Sequence, residues 1–160
     1  MLCEKIFIDF DGVILDTEER IIRLKDNCPD LTWNEFFEQL DWFLLLSEAK
    51  VINNAINCII EAQNNKQKEI FILTKIHTLL EMQAKATYLR NAKVQMPVLF
   101  VPPHVKKSQI YLPANGEILI DDNIKNLVDW EESGGKAIYF NQNNVRYEGL
   151  ETVRSLSRIL

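Results

Sequence analysis

The chain has 160 residues, 47% hydrophobic and 26% charged, with a formal net charge of −5. That describes one globular domain with room for a small appendage. The acidic balance argues against a nucleic-acid groove or an anionic membrane surface as the main partner, but not against a small anionic substrate held by a metal.

The first predicted strand, Lys5–Phe10, is an apolar run that meets two carboxylates, Asp9 and Asp11, and then Gly12. Strand side chains alternate, so Asp9 and Asp11 share one face at the strand's C-terminal end, where open parallel sheets place their ligand crevices. At roughly 4 Å and an effective dielectric near 20, two such charges repel by about 4 kcal/mol. A bound metal, a retained proton or contact with water must relieve this. From Asp16 to about Asn65 the chain carries only helical signals, among them the capping-box spacing Thr32-Trp33-Asn34-Glu35 and an amphipathic run over Ser47–Gln63. Two or three helices are therefore expected as a cap above the crevice, with residues 1–15 and 66–160 forming the core and 16–65 the insertion; the alternative is that one of them is the ordinary crossover helix and the rest pack beside it.

The second strand, Ile70–Leu73, ends in Thr74, whose hydroxyl can donate to an anion, and a helix is expected over Ile76–Asn91. The third, Val98–Val101, leads into Pro102-Pro103-His104-Val105-Lys106-Lys107, which can set a cation beside the acids. The fourth, Ile118–Ile120, repeats the opening pattern and ends in Asp121-Asp122. A helix over Asn123–Ser133 stops at Gly134-Gly135. The fifth strand is Lys136–Phe140, and Leu150–Leu160 reads as a last helix. Most of these strands are continuous Ile, Val, Leu and Phe runs, the mark of strands buried on both faces. The expected fold is α/β, a doubly wound, Rossmann-like parallel sheet of five strands with a small helical cap after strand 1.

If the first and fourth strands are parallel neighbours, four carboxylates meet at one crevice. Hard oxygen ligands around a substrate phosphate suit Mg²⁺. The cysteines, Cys3, Cys28 and Cys58, are odd in number, lack C-x-x-C spacing and read as reduced packing thiols; His77 and His104 lie far from any cysteine pair, which argues against zinc. No apolar run approaches the ~20 residues of a membrane span. The N-terminus runs into a strand without a basic segment followed by an apolar one, so a cytoplasmic location is expected.

Asp9-Phe10-Asp11-Gly12-Val13, a strand ending in Thr74, a lysine at 106 or 107, and Ile120-Asp121-Asp122 together resemble the four-motif order of the haloacid dehalogenase (HAD) superfamily of phosphohydrolases. The stretch from Ile118 through Asp121-Asp122 to Trp130 and Gly134-Gly135 is similar to members related to 5′(3′)-deoxyribonucleotidases. The resemblance implies Asp9 as the nucleophile and Asp11 as the general acid/base. Gly12 would release the chain sharply from the strand and belong to the phosphate-binding set. The metal would lie on Asp9, the Asp11 carbonyl and one of Asp122 and Asp121, with Asp122 favoured and the other acting through water. Thr74 and a lysine, Lys107 or Lys106 with Lys107 favoured, would hold the phosphoryl oxygens. It also implies a small phosphorylated substrate, such as a nucleoside monophosphate, and is compatible with an oligomer.

Lys75 and His77 lie near the second motif, and Asn126 could orient Asp121 or Asp122. Trp33, Phe36, Phe37, Trp42 and Phe43 either pack the cap or stack on a base. Glu18, Glu19, Glu35 and Glu38 read as a solvated face, and Trp130 as core. Receiver domains share acids, Thr and Lys at strand ends, but carry their acid pair early and a lone acid mid-chain before the Thr and Lys; here a second pair comes after them. A non-catalytic metal- or phosphate-binding protein and a phosphomutase on the same scaffold are the alternatives. A dehalogenase would leave Asp11 without a task.

Overall fold

The computed structural model describes residues 4–65 and 68–160; Cys3 lies outside them. The main sheet is built from β1 (Lys5–Ile8), β4 (Glu69–Lys75), β5 (Val98–Val101), β6 (Ile118–Asp121), β7 (Lys136–Phe140) and β8 (Glu151–Val153). They run in the order β5-β4-β1-β6-β7-β8, and all five pairings are parallel. Counted along this sheet alone, the order is 3-2-1-4-5-6, which changes direction between β1 and β6. Ligands of open α/β sheets bind at such a switch point.

Alternation along the strands divides the core. Ile6, Ile8, Ile72, Ile118 and Ile120 point to one face, against α4 (Ala55–Asn65) and α5 (Leu79–Asn91). Phe7, Leu73 and Leu119 point to the other, where α6 (Lys107–Ile110) and α7 (Ile124–Glu132) lie and Leu127 and Trp130 are buried. Phe7 is the hub of that second layer, with ring centroids 5.1 Å from Phe71, 4.4 Å from Tyr111 and 5.1 Å from Trp130.

The sheet has six strands among the described residues, not the expected five. The sixth occupies part of the stretch expected as a helix over Leu150–Leu160. Glu151–Val153 pairs with Ile138–Phe140, and Asn141 N donates to Val153 O. The helical signal survives only as a 3-10 turn at Leu156–Arg158, capped by Ser155. Val153 and Leu156 are both buried, so this terminal segment satisfies its apolar residues by lying on the sheet edge.

Between β1 and β4, the strands β2 (Leu15–Asp16) and β3 (Lys50–Val51) pair antiparallel at the root of three helices, α1 (Glu18–Asp26), α2 (Trp33–Gln39) and α3 (Trp42–Glu48). The capping box forms: Thr32 Oγ1 accepts from Glu35 N, and Glu35 Oε2 accepts from Thr32 N. The amphipathic run expected over Ser47–Gln63 is interrupted, because Lys50–Val51 pairs with the root and Asn53 and Asn54 take positive φ, which asparagine tolerates. Beyond that break, α4 is the crossover helix that leads back to the sheet at β4. Phe36, Trp42, Leu45 and Leu46 of the three-helix unit bury themselves in the core cluster that contains Ile6 and Ile8.

Gly134, with φ of +102°, turns the chain out of α7 into β7. Beside it, a Cβ on Gly135 would stand 2.2 Å from Trp130 Nε1 and 2.9 Å from Pro113 Cβ. Trp130 cannot yield, since it is fully buried and donates to Glu117 O at 3.1 Å. Gly135→Ala is expected to destabilise the fold by about 1–3 kcal/mol through overpacking, read as a lower urea midpoint at unchanged slope.

Candidate active site

The acids assemble because of register. Ile8 is level with Ile120 across the β1–β6 pairing, and Asp9 N donates to Ile120 O at 3.0 Å, so Asp9 and Asp121 leave neighbouring strands side by side. Both fall in the alternation of Phe7 and Leu119, toward α6 and α7. Lys107, the first residue of α6, meets them there, with Nζ 2.9 Å from Asp9 Oδ1 and 2.6 Å from Asp121 Oδ2. Asn126 of α7 donates to Asp121 Oδ2 at 3.0 Å, and Asn123 N donates to Asp121 Oδ1 at 2.8 Å. Asp121 is fully buried with both oxygens engaged.

Asp122 turns the other way, against the loop that leaves β1. A Cβ on Gly12 would lie 1.9 Å from Asp122 Oδ2, and Gly12 has φ of +74°, so glycine is required here on two counts. The loop is tight, with Gly12 N donating to Leu15 O and Ile14 N to Phe10 O.

Asp11 lies past the end of β1 and does not join the other acids. Its Oδ2 is 2.5 Å from Lys85 Nζ, and its Oδ1 accepts from Thr17 Oγ1 at 2.7 Å. Thr74 is fully buried beside this pair; its hydroxyl accepts from Lys85 Nζ at 3.0 Å and donates to Lys75 O at 3.3 Å. Three carboxylates, Asp9, Asp121 and Asp122, therefore converge rather than four. Lys106 is exposed and bonds Asp129 Oδ1 at 2.7 Å, outside the acid cluster.

A cavity of about 720 Å³ opens over the cluster. Asp9, Asp11, Asp122 and Lys107 line it from the sheet, and Trp33 and Phe37 from the insertion. Lys75 and His77 also reach it, with His77 stacked on Phe37 at 3.8 Å between ring centroids. Phe36 and Trp42 are buried and Phe43 is exposed; none of the three lines the cavity.

Lys85, Glu81 and Thr17 escape a reading of the sequence. Glu81 and Lys85 have the i, i+4 spacing of an ordinary solvated helix pair, yet α5 buries both and leaves Leu79 and Leu80 exposed. Thr17 has nothing in sequence to set it apart from any turn residue. The one available signal was the position of the Glu81/Lys85 pair on the helix that directly follows Thr74.

Burial, and then the charge of Asp121, push Asp9 up to about 7, although Lys107 opposes the shift. Burial, and then Asp9 and Asp121, push Asp122 up to about 8. Burial alone would lower Lys107, but Asp121 and Asp9 outweigh it and hold the ammonium above its ordinary value.

Asp9, Asp121 and Asp122 each offer an oxygen, all within 4.8 Å of one another. Lys107 supplies one positive charge to three carboxylates, and the raised values of Asp9 and Asp122 mark the remaining excess. The donor set is all hard oxygen, which fits Mg²⁺. Asp9 and Asp122 are the side chains suited to direct ligation; Asp121, saturated by other donors, is placed to orient its neighbours.

No protein-family model and no curated protein matches the sequence. Solved structures do match the fold. CbbY from Rhodobacter sphaeroides, in complex with phosphate, superposes with a TM-score of 0.67 at 14% identity, over 99% of this chain and 96% of that one. D,D-heptose 1.7-bisphosphate phosphatase from B. bronchiseptica, complexed with magnesium and phosphate, gives 0.64 at 12% identity, over 96% and 94%. A dehalogenase gives 0.63 at 14% identity, over 99% and 96%. The fold is the one shared with these structures and with others described as HAD-superfamily hydrolases, at 10–14% identity.

The shifted acids set a pH dependence. Asp9 and Asp122 keep protons in the metal-free fold up to about pH 7 and 8, whereas the unfolded chain loses them near 3.8. The folded state binds more protons across that window, so through these groups its stability falls as pH rises from about 4 to about 8. Mg²⁺ should therefore raise the melting temperature more at pH 8 than at pH 5, relative to EDTA. Gly12→Ala, by displacing Asp122, should remove most of that gain.

Proposed function

We propose that the chain is a Mg²⁺-dependent phosphomonoesterase that works through an aspartyl-phosphate on Asp9. The observation that carries this reading is the different setting of the two carboxylates at one strand end. Asp9 lies in the buried cluster against Lys107, and Asp11 stands at the cavity wall between Lys85 and Thr17. On this reading Asp9 attacks, and Asp11 exchanges a proton with what leaves and what enters.

In the first step an Asp9 oxygen attacks phosphorus, the bond from phosphorus to the ester oxygen breaks, and Asp11 gives its proton to the departing alkoxide. In the second, Asp11, now a carboxylate, takes a proton from water as the water oxygen attacks phosphorus. The bond from phosphorus to Asp9 breaks, orthophosphate leaves and both acids are restored. Lys107 pairs with both Asp9 and Asp121 and would offset the charge that builds on the phosphoryl oxygens. Thr74 supports the same site from beneath, through Lys85 and the end of β4. Bound Mg²⁺, held by Asp9, Asp122 and the Asp11 carbonyl, would offset the cluster's charge and let an anionic phosphate approach.

Asp11 also weighs against dehalogenation, which needs no proton delivered to a leaving alkoxide. Trp33 and Phe37 on the cavity wall support a leaving group with a flat body, and the nucleoside released from a nucleoside monophosphate fits that description.

The test is a panel of nucleotides, sugar phosphates, phosphoserine and an aryl phosphate. Turnover should require Mg²⁺, stop on chelation, and fall by about 100-fold or more in Asp9→Asn and in Asp11→Asn. Undiminished turnover in purified Asp9→Asn would rule out the covalent route. A lack of turnover on every ester, with Mg²⁺ bound, would favour a binding protein.

A further inference from the structure

Lys85 is fully buried and does not line the cavity. Its ammonium faces four acceptors: Asp11 Oδ2 at 2.5 Å, Glu81 Oε1 at 2.8 Å, Lys75 O at 2.9 Å and Thr74 Oγ1 at 3.0 Å. Three N–H donors against four acceptors leave the ammonium no freedom to turn. Glu81 is equally fixed, because its other oxygen accepts from His77 N at 2.6 Å and lies 3.0 Å from His77 Nδ1. Burial alone would lower the Lys85 pKa, but Asp11 and Glu81 outweigh it, so the ammonium stays charged.

Lys107 lines the cavity and Lys85 does not, so it is Lys107 that faces a bound phosphate. Of the cavity-lining residues that Lys85 touches, Asp11, Lys75 and Glu81, only Asp11 presents a carboxylate just past the end of β1. The other Asp11 oxygen is held by Thr17, beside the root of the insertion. The Asp11 carboxylate is thus gripped at one oxygen by a core helix and at the other by the start of the insertion.

We propose that Lys85, anchored by Glu81, is a positioning residue that sets the orientation of the Asp11 carboxylate for both of its proton transfers. This rests on the reading of the site as a phosphomonoesterase. Lys85 acts through Asp11 and touches neither phosphate nor leaving group.

The test uses Lys85→Met and the double variant Glu81→Leu/Lys85→Met; the second leaves no lone carboxylate buried at position 81 and guards against failure to fold. Each is assayed with an alkyl phosphate, whose alkoxide needs a proton, and a nitrophenyl phosphate, whose phenolate leaves unaided. On the alkyl ester kcat should fall about 100-fold with KM little changed. On the aryl ester the first step should survive and the second slow, giving a rapid burst of one nitrophenolate per site before slow turnover. A general loosening of the site would instead lower both substrates alike without a burst. That outcome, or unchanged kinetics in both variants, overturns the proposal.

A crystal structure of the double variant separates this inference from the reading beneath it. If Asp11 has left its place while the unmodified protein hydrolyses no ester, the hold of Lys85 on Asp11 stands and the phosphatase reading falls, taking with it the catalytic purpose of that hold. If the unmodified protein is active and Asp11 has not moved, the positioning role falls alone.

Discussion

The mutual repulsion of Asp9, Asp121 and Asp122 is the constraint around which the rest of the structure is arranged. Their oxygens lie within 4.8 Å of one another, where each ionised pair costs about 3 kcal/mol at an effective dielectric near 20. Nothing in the packing of an α/β sheet requires them. They are held together because β1 and β6 are hydrogen-bonded neighbours whose register brings Asp9 level with Asp121, and because Gly12 lets Asp122 approach the β1 loop. Lys107 answers one of the three charges. The other two remain as raised proton affinities on Asp9 and Asp122, the state a divalent cation would relieve.

The doubly wound layout sets a lysine on each side of this point. Phe7, Asp9, Leu119 and Asp121 alternate toward α6 and α7, so the lysine beginning α6 meets the acid cluster. Ile72 and Thr74 alternate toward α5, so Lys85 meets Thr74 and, across the turn, Asp11. The Asp-x-Asp pair is divided by the sheet: the first acid belongs to one helical layer and the second to the other. Two carboxylates that are equivalent on a strand diagram thereby acquire different neighbours.

Much of this was legible in the sequence because it depends on local pattern. Continuous apolar runs identified five strands, acids at two strand ends marked the switch point, and the Thr32–Glu35 box identified the start of α2. What was not legible depends on partners distant in the chain. Glu151–Val153 is three residues long and becomes a strand only because β7 offers a free edge; its Leu and Ile neighbours suggest a helix equally well. The choice between Lys106 and Lys107 turns on which residue begins a four-residue helix, and one position separates a buried ion pair from an exposed contact with Asp129. The same holds for Asp121 and Asp122, where the last strand residue points into the layer and the next residue away from it.

Helix α5 shows the limit most clearly. Hydrophobic patterning directs Leu79 and Leu80 inward, yet the helix exposes them and buries Glu81, Ala84, Lys85 and Leu89. Burying an ion costs several kcal/mol, and replacing a buried ion pair with apolar side chains often leaves a protein as stable or more so. Core stability alone would therefore favour the opposite rotation of the helix. The rotation observed puts Lys85 against Asp11 and Thr74, and Glu81 against Lys85 and His77, so each buried charge leads directly to the wall of the acidic cavity. A helix that departs from its own hydrophobic pattern beside such a cavity holds one oxygen of Asp11 through Lys85, while Thr17 holds the other.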